Sequence, residues 1–468
     1  MNFHSYTVFQ RLALDGVRLA LFVILSLTAT TTAAELQVGA AAVELQGEDS
    51  MIIGASILPR YVKGQEGALR AVAVVVRDAS GQRVAIVACD VIMMNRDLLD
   101  TAADQILKRT GISTSNVLIN CTHTHSAPTT CTVHGYVRDE AFSRQVQRAI
   151  VDAVVQADER CQKSRPTQMY FRLGQETTVG QNSRLRLPDG TIRWTGKTEL
   201  TAPATGPFDP DLPVIGFRRD DGTLAALLFG HSTHTIGSLA PNVRSPAFYG
   251  MAAQAIERQL GVVTLFLEGA SGSTHNLVLK PVEAEQAIRA AVLETWKTAA
   301  PLPVNRVGAI KREVTVTVRR FDEAKEEAAV SSYCRKHIPG ARAEETIQVF
   351  RDMRRKLAGH QGEQRKTWVQ AMCIGDVAIV GVPAEYFTVL GVDIKRRSPF
   401  KHTIIAELAN DWIGYVGDRP AYELGGYQVW MGLHSWTERG TGEYIADEAV
   451  KILHALQGRK VVHTSSAR

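Results

Sequence analysis

The alternation of apolar and polar positions divides the chain into short β-branched runs and longer stretches with helical spacing. Ala68 to Asp78 and Arg83 to Asp90 are apolar runs joined by Ala79-Ser80-Gly81, the pattern of a hairpin of buried strands. Arg96 to Thr110 carries apolar residues at helical intervals and stops at Gly111, a residue suited to a helix end. A short strand is expected over Asn116 to Asn120 and a helix over Val137 to Ala157. Further strands are expected over Gln168 to Gly174, Val214 to Arg218, Leu224 to Phe229, Val262 to Leu267, Val314 to Val318, Trp368 to Ile374, Val377 to Val382 and His402 to Glu407. Helical spacing falls between them, at Ala247 to Leu260, Val282 to Lys297, Phe321 to Leu357 with a break at Pro339-Gly340, Tyr386 to Lys395, and Gly442 to Leu456. Such interleaving predicts an α/β (mixed α+β) fold, with mixed β-sheets flanked by helices. No internal repeat or long linker interrupts it, so one large domain from residue 35 to 468 is the simplest organisation.

The first 34 residues follow a different pattern. Arg11 and Arg18 precede the apolar run Leu19 to Leu27, and Thr-rich, Ala-rich sequence follows through Ala34. That order of basic, apolar and small residues is the pattern of a signal peptide, so residues 1–34 are expected to export the protein to the periplasm or beyond the cell. The alternative is an uncleaved anchor, although the apolar run is short against the roughly 20 residues of a membrane span.

Composition narrows the classes. The chain is 45% hydrophobic and 22% charged over 468 residues, ordinary for a folded protein with a large core. Its 53 basic and 48 acidic residues are well mixed, which excludes the concentrated basic face that nucleic-acid binding needs. The six cysteines, Cys89, Cys121, Cys131, Cys161, Cys334 and Cys373, show no C-x-x-C spacing and so no cysteine zinc site. Export permits disulfides among them, and buried free thiols are the alternative.

Unusual polar residues follow directly after the apolar strands. His123 and His125 come after Val117 to Asn120, His231 and His234 after Leu224 to Phe229, Glu268 after Val262 to Leu267, and Glu385 after Val377 to Val382. Ligands of open α/β sheets lie outside the carboxyl ends of the strands, so these residues are expected to meet in space. His123-Thr-His125 offers two imidazoles that either both bind a metal or divide into one ligand and one acid/base partner. With His231 and Glu385 the set becomes two histidines and a carboxylate, an arrangement of catalytic zinc that leaves room for water. The glycine-rich Glu268-Gly-Ala-Ser-Gly-Ser-Thr-His-Asn276 suits close backbone approach but lacks the spacing of a hydrolase nucleophile elbow or a P-loop.

Taken in order, these segments resemble the neutral or alkaline non-lysosomal ceramidase family. The resemblance is carried by Gln37-Val-Gly-Ala-Ala, Thr122-His-Thr-His-Ser-Ala-Pro128, Gly180-Gln-Asn-Ser-Arg-Leu-Arg186, the His231 segment, Gly269-Ala-Ser-Gly272, Gly381-Val-Pro-Ala-Glu385 and Gly414-Tyr415 followed by Tyr427. It implies that His123, His231, Glu385 and Tyr415 are zinc ligands, and that His125, Arg184 and Tyr427 orient the substrate amide and stabilise its oxyanion. Three departures accompany it. The family usually has Gly-Asp-Val-Ser-Pro-Asn where this chain has Gly272-Ser-Thr-His-Asn276, which leaves Ser273 and Ser271 as imperfect counterparts of a catalytic serine. Ala384 replaces a usual glycine, and His231-Ser-Thr-His234 differs from the common His-Pro or His-Gly continuation. The family's immunoglobulin-like C-terminal domain is expected to be absent.

The expected reaction is cleavage of a small-molecule or lipid N-acyl amide by water at a Zn2+ site, with His125 exchanging protons and Arg184 and Tyr427 donating to the oxyanion. A metallo-esterase, lactonase or phosphoesterase on the same site is the enzymatic alternative, and an exported binding protein without catalysis the non-enzymatic one. A lipid substrate would bring transient contact with a membrane surface. No strongly apolar exposed helix is evident after residue 34, and the basic, polar stretch Arg335 to Gln364 reads as a solvated helical pair rather than a membrane surface.

Overall fold

A computed structural model describes residues 36–195 and 201–458, so the expected signal peptide lies outside the described residues. Three mixed sheets share one plan. The first runs Gln37–Leu45, Leu69–Arg77, Arg83–Cys89, Val117–Cys121 in spatial order. The second runs Ala300–Pro301, Thr167–Gln175, Asp211–Arg219, Leu224–His231, Thr264–Glu268. The third runs Val307–Thr317, Gln364–Ile374, Val377–Gly381, His402–Ala406. Each is antiparallel until its last pair, which is parallel.

A parallel pair needs a crossover connection, and each of these three contains a helix. Arg96–Thr110, Ala247–Leu260 and Thr388–Arg397 lie between the paired strands in sequence. The loops leaving these parallel strands carry the polar residues of the site.

Hairpins and crossovers were both legible, but several boundaries differ. The helix expected from Val137 begins at Glu140 and runs to Gln162, because the Asp139 side chain accepts the Phe142 N–H and caps it there. The helical stretch from Phe321 divides into Glu323–His337 and Arg342–Leu357 around the expected break. Gln37–Leu45 is a nine-residue strand whose small residues hid it. It packs so closely on the Glu140–Gln162 helix that a Cβ on Gly39 would lie 2.1 Å from the Ala157 carbonyl. All six cysteines are buried and unpaired, which favours the free-thiol reading over disulfides. Among the described residues no helix is long and apolar enough to cross a membrane.

Candidate active site

At the ends of the three parallel pairs, buried imidazoles converge on one carboxylate. His123 and His125 arrive from the loop after Val117–Cys121, with His123 held at φ 59°, a left-handed conformation that costs a non-glycine residue strain. His234 arrives from the loop after Leu224–His231, and Glu385 opens a two-residue strand paired in parallel with Tyr415–Val416. Glu385 Oε2 lies 3.5 Å from His123 Nε2 and 3.4 Å from His234 Nε2. His125 Nε2 is 3.2 Å from His123 Nε2, and the Tyr415 hydroxyl is 2.9 Å from His234 Nε2. Trp412 Nε1–H donates to Glu385 Oε1 at 3.1 Å.

The donor set suits a divalent cation. Four N or O ligands at about 2.1 Å in a tetrahedron stand about 3.4 Å from one another, the spacing that Glu385 keeps with both imidazoles. Nδ1 of His123 faces the Ile92 carbonyl at 2.9 Å, and Nδ1 of His234 faces the Ser271 carbonyl at 2.8 Å. A carbonyl only accepts, so both Nδ1 atoms carry the proton and both Nε2 lone pairs point into the cluster, as in histidines that bind a metal through Nε2. His125 has no such clamp among the described contacts and instead lines a cavity of about 320 Å³. Nitrogens of His123, His125 and His234 all lie within 4.8 Å of one another.

The electrostatics tie the cluster together: burial opposes charge on His123, but Glu385 outweighs it and raises the imidazole. Burial opposes charge on Glu385, but His123 and His234 outweigh it and hold the carboxyl well below its usual range. Burial, reinforced by His123 and His234, holds the His125 imidazole well below its ordinary value and keeps it neutral. Burial also disfavours a charged His234, with His123 adding to the effect.

Several expected residues fall elsewhere. His231 does not join the cluster, and His234 takes the place expected for it. As the last residue of its strand, His231 turns its ring to the Tyr249 hydroxyl through Nδ1 and to the Glu176 carbonyl through Nε2 at 3.2 Å. Arg184 does not line the cavity; its guanidinium donates to Gln428 Oε1, Ala421 O and Gly425 O, at 3.0, 3.2 and 2.7 Å, and holds the loop that carries Tyr427. Arg193 is the arginine among the lining residues. Ser273 is taken up by Thr388, donating to its hydroxyl at 3.2 Å and accepting its N–H at 3.1 Å, so it does not face the cluster. Tyr427 does line the cavity, stacked on Trp194 at 4.5 Å with its hydroxyl 3.1 Å from His134 Nε2. Sequence reasoning assigned no role to His275, Trp194, Arg193 or Trp412.

The glycine-rich loop makes its close approach to protein. A Cβ on Gly272 would stand 2.4 Å from the Glu385 carbonyl, so glycine is required for this loop to lie against the ligand-bearing strand.

Glu407 ties these two segments together. Its Oε2 accepts the N–H groups of Ser271 at 2.9 Å and Tyr386 at 2.8 Å, and its Oε1 accepts the Ser271 hydroxyl at 2.7 Å. The carbonyl that aims His234 and the strand that carries Glu385 thus hang on one carboxyl. Burial pushes that carboxyl up to about 8, so an uncharged amide suits the site. Glu407→Ala is expected to weaken metal affinity about 10- to 100-fold, while Glu407→Gln stays near wild type, read by competition with a chelator. Equal loss in both variants would mean that the charge, not the tie, is what matters.

Two crossover units directing buried imidazoles at a carboxylate carried by the third define the class, a mixed α/β protein with a candidate metal centre beside a substrate-sized cavity. Residues 37–185 match the N-terminal model of the neutral/alkaline non-lysosomal ceramidases. The neutral ceramidase of Pseudomonas aeruginosa is 23% identical over 539 positions, covering 99% of this chain and 78% of the relative. A crystal structure of that enzyme matches the fold with a TM-score of 0.68 at 19% identity, over 93% of this chain and 76% of the other. A structure described as ceramidase complexed with C2 matches with the same TM-score and identity, over 93% and 77%. The resemblance read from the motifs is borne out by these matches, with the family model covering residues 37–185.

Proposed function

We propose that this protein is a zinc-dependent hydrolase of N-acyl amides, a ceramidase-type enzyme acting on N-acylsphingosine or a related lipid amide. The observation that carries this reading is the spacing of Glu385 Oε2 from two imidazoles whose Nδ1 atoms are clamped by carbonyls. His123, His234, Glu385 and Tyr415 would hold the zinc, with His234 replacing the His231 expected from sequence. Zinc bound there supplies a Lewis acid that polarises the acyl carbonyl and lowers the pKa of water.

The chain's own residues supply the remainder. His125, neutral and facing the cavity, takes a proton from the attacking water and passes it to the leaving amine as the C–N bond breaks. Water's oxygen stays on the acyl carbon, and the products are a carboxylic acid and an amine. The Tyr427 hydroxyl, fixed by the Trp194 stack and by His134, donates to the oxyanion. Ile57, Ile236, Leu277 and Trp194 give the cavity apolar walls that suit an acyl or alkyl chain and exclude water. The site meets such a substrate outside the cytoplasm if residues 1–34 act as a signal peptide.

Arg184 then acts through the loop it holds. Arg184→Lys is expected to lower the thermal midpoint, because buried acceptors left without a donor cost about 1–3 kcal/mol each. Metal content should remain that of wild type; loss of metal in a folded variant would put Arg184 in the centre after all. The reading as a whole is tested by assaying hydrolysis of an N-acyl sphingosine before and after chelation. Chelator-sensitive release of the amine supports it, and metal-independent cleavage removes it.

A further inference from the structure

His275 lies in the Gly272 to Asn276 loop and has no part in the proposed reaction, yet it lines the same cavity. A short antiparallel pairing of Thr274–His275 with Gln181–Asn182 holds it beside Ser183. The Ser183 hydroxyl is 2.6 Å from His275 Nδ1 and 3.2 Å from the Ser273 carbonyl. Because the carbonyl only accepts, both contacts are satisfied when Ser183 donates to Ser273 and accepts Nδ1–H from His275. The opposite tautomer leaves the contact to Ser273 without a proton. Nε2 of His275 is therefore the bare nitrogen, and it makes no hydrogen bond among the described residues. The ring is also fixed in place, stacked on His234 with centroids 4.2 Å apart and planes at 23°. An acceptor held this firmly beside the candidate reaction centre selects a donor on whatever enters.

We propose that His275, held by Ser183, is a substrate-orienting residue whose Nε2 accepts a hydrogen bond from a donor on the amine half of the substrate. The proposal rests on the amide-hydrolase reading and adds a preference to it. Two donors share this chemistry, the amide N–H itself and a hydroxyl on the amine's carbon chain. Orientation by either needs no change in the charge of His275.

The test compares three substrates with one acyl chain: an N-acyl amino alcohol, the same amide without the hydroxyl, and an ester lacking the amide N–H. Each is assayed with wild type, His275→Phe and Ser183→Ala, with metal content measured in parallel. If the hydroxyl is the donor, His275→Phe lowers kcat/KM for the amino alcohol by about 10- to 100-fold and barely alters the other two. If the amide N–H is the donor, both amides fall by that factor and the ester does not. Ser183→Ala shifts the same selectivity less, mainly through KM, because it frees the tautomer without removing the ring. Equal loss on all three substrates, or loss of metal in either variant, overturns the proposal alone. Failure of wild type to cleave either amide overturns the amide-hydrolase reading and the proposal with it.

Discussion

His234→Ala is expected to abolish both zinc retention and turnover, whereas His231→Ala keeps metal in its folded fraction. Of these two histidines it is His234 that directs a clamped imidazole at Glu385, with Nδ1 on the Ser271 carbonyl and Nε2 3.4 Å from the carboxylate. Removing it deletes a ligand and leaves a buried carboxylate short of one of the two imidazoles that hold it ionised. His231 is also buried, and its loss strands the Tyr249 hydroxyl and the Glu176 carbonyl, a cost of about 1–3 kcal/mol for each unsatisfied group. His231→Gln, which keeps polar atoms in that space, guards against reading misfolding as metal loss. Metal content by mass spectrometry and thermal unfolding of both variants separate the two effects. Zinc lost from a folded His231→Gln but retained by His234→Ala would reverse the assignment.

The second large effect falls on His125. His125→Gln is expected to lower kcat by about 10²- to 10⁴-fold, the contribution of a positioned acid/base group, with zinc content unchanged. The expectation follows from the difference between the two imidazoles of His123-Thr-His125. His123 has its Nδ1 fixed by Ile92, while His125 opens to the cavity without such a clamp. Measuring kcat and bound zinc on the same preparation distinguishes the roles. If His125→Gln also lost its metal, the alternative in which both imidazoles of the motif bind the ion would replace this one.

The strand ends were legible because buried strands are continuous apolar runs, and a polar residue just after one stands out, as His123 and Glu385 do. The third histidine was not. His231 ends the strand and His234 follows three residues later, and only the turn between them decides which ring faces the cluster. That turn is set by long-range partners, a bridge from His234 to His275 and contacts of His231 with Glu176 and Tyr249, none of them visible in local spacing. Arg184 was noticed as a polar residue in a family motif, but its three acceptors lie more than 230 positions away. Trp412 and Trp194 carry no pattern that separates a tryptophan touching a candidate ligand, or one stacked on a cavity tyrosine, from one in the core.

Whether a zinc site drives amide cleavage is decided by metal content and activity read on the same preparation. Purified protein is analysed for metal by mass spectrometry and assayed on an N-acyl sphingosine as isolated, after chelation, and after zinc is restored. The predicted result is about one zinc per chain, with hydrolysis that disappears on chelation and returns with zinc. Protein without bound metal, or hydrolysis undiminished by its removal, would contradict the account.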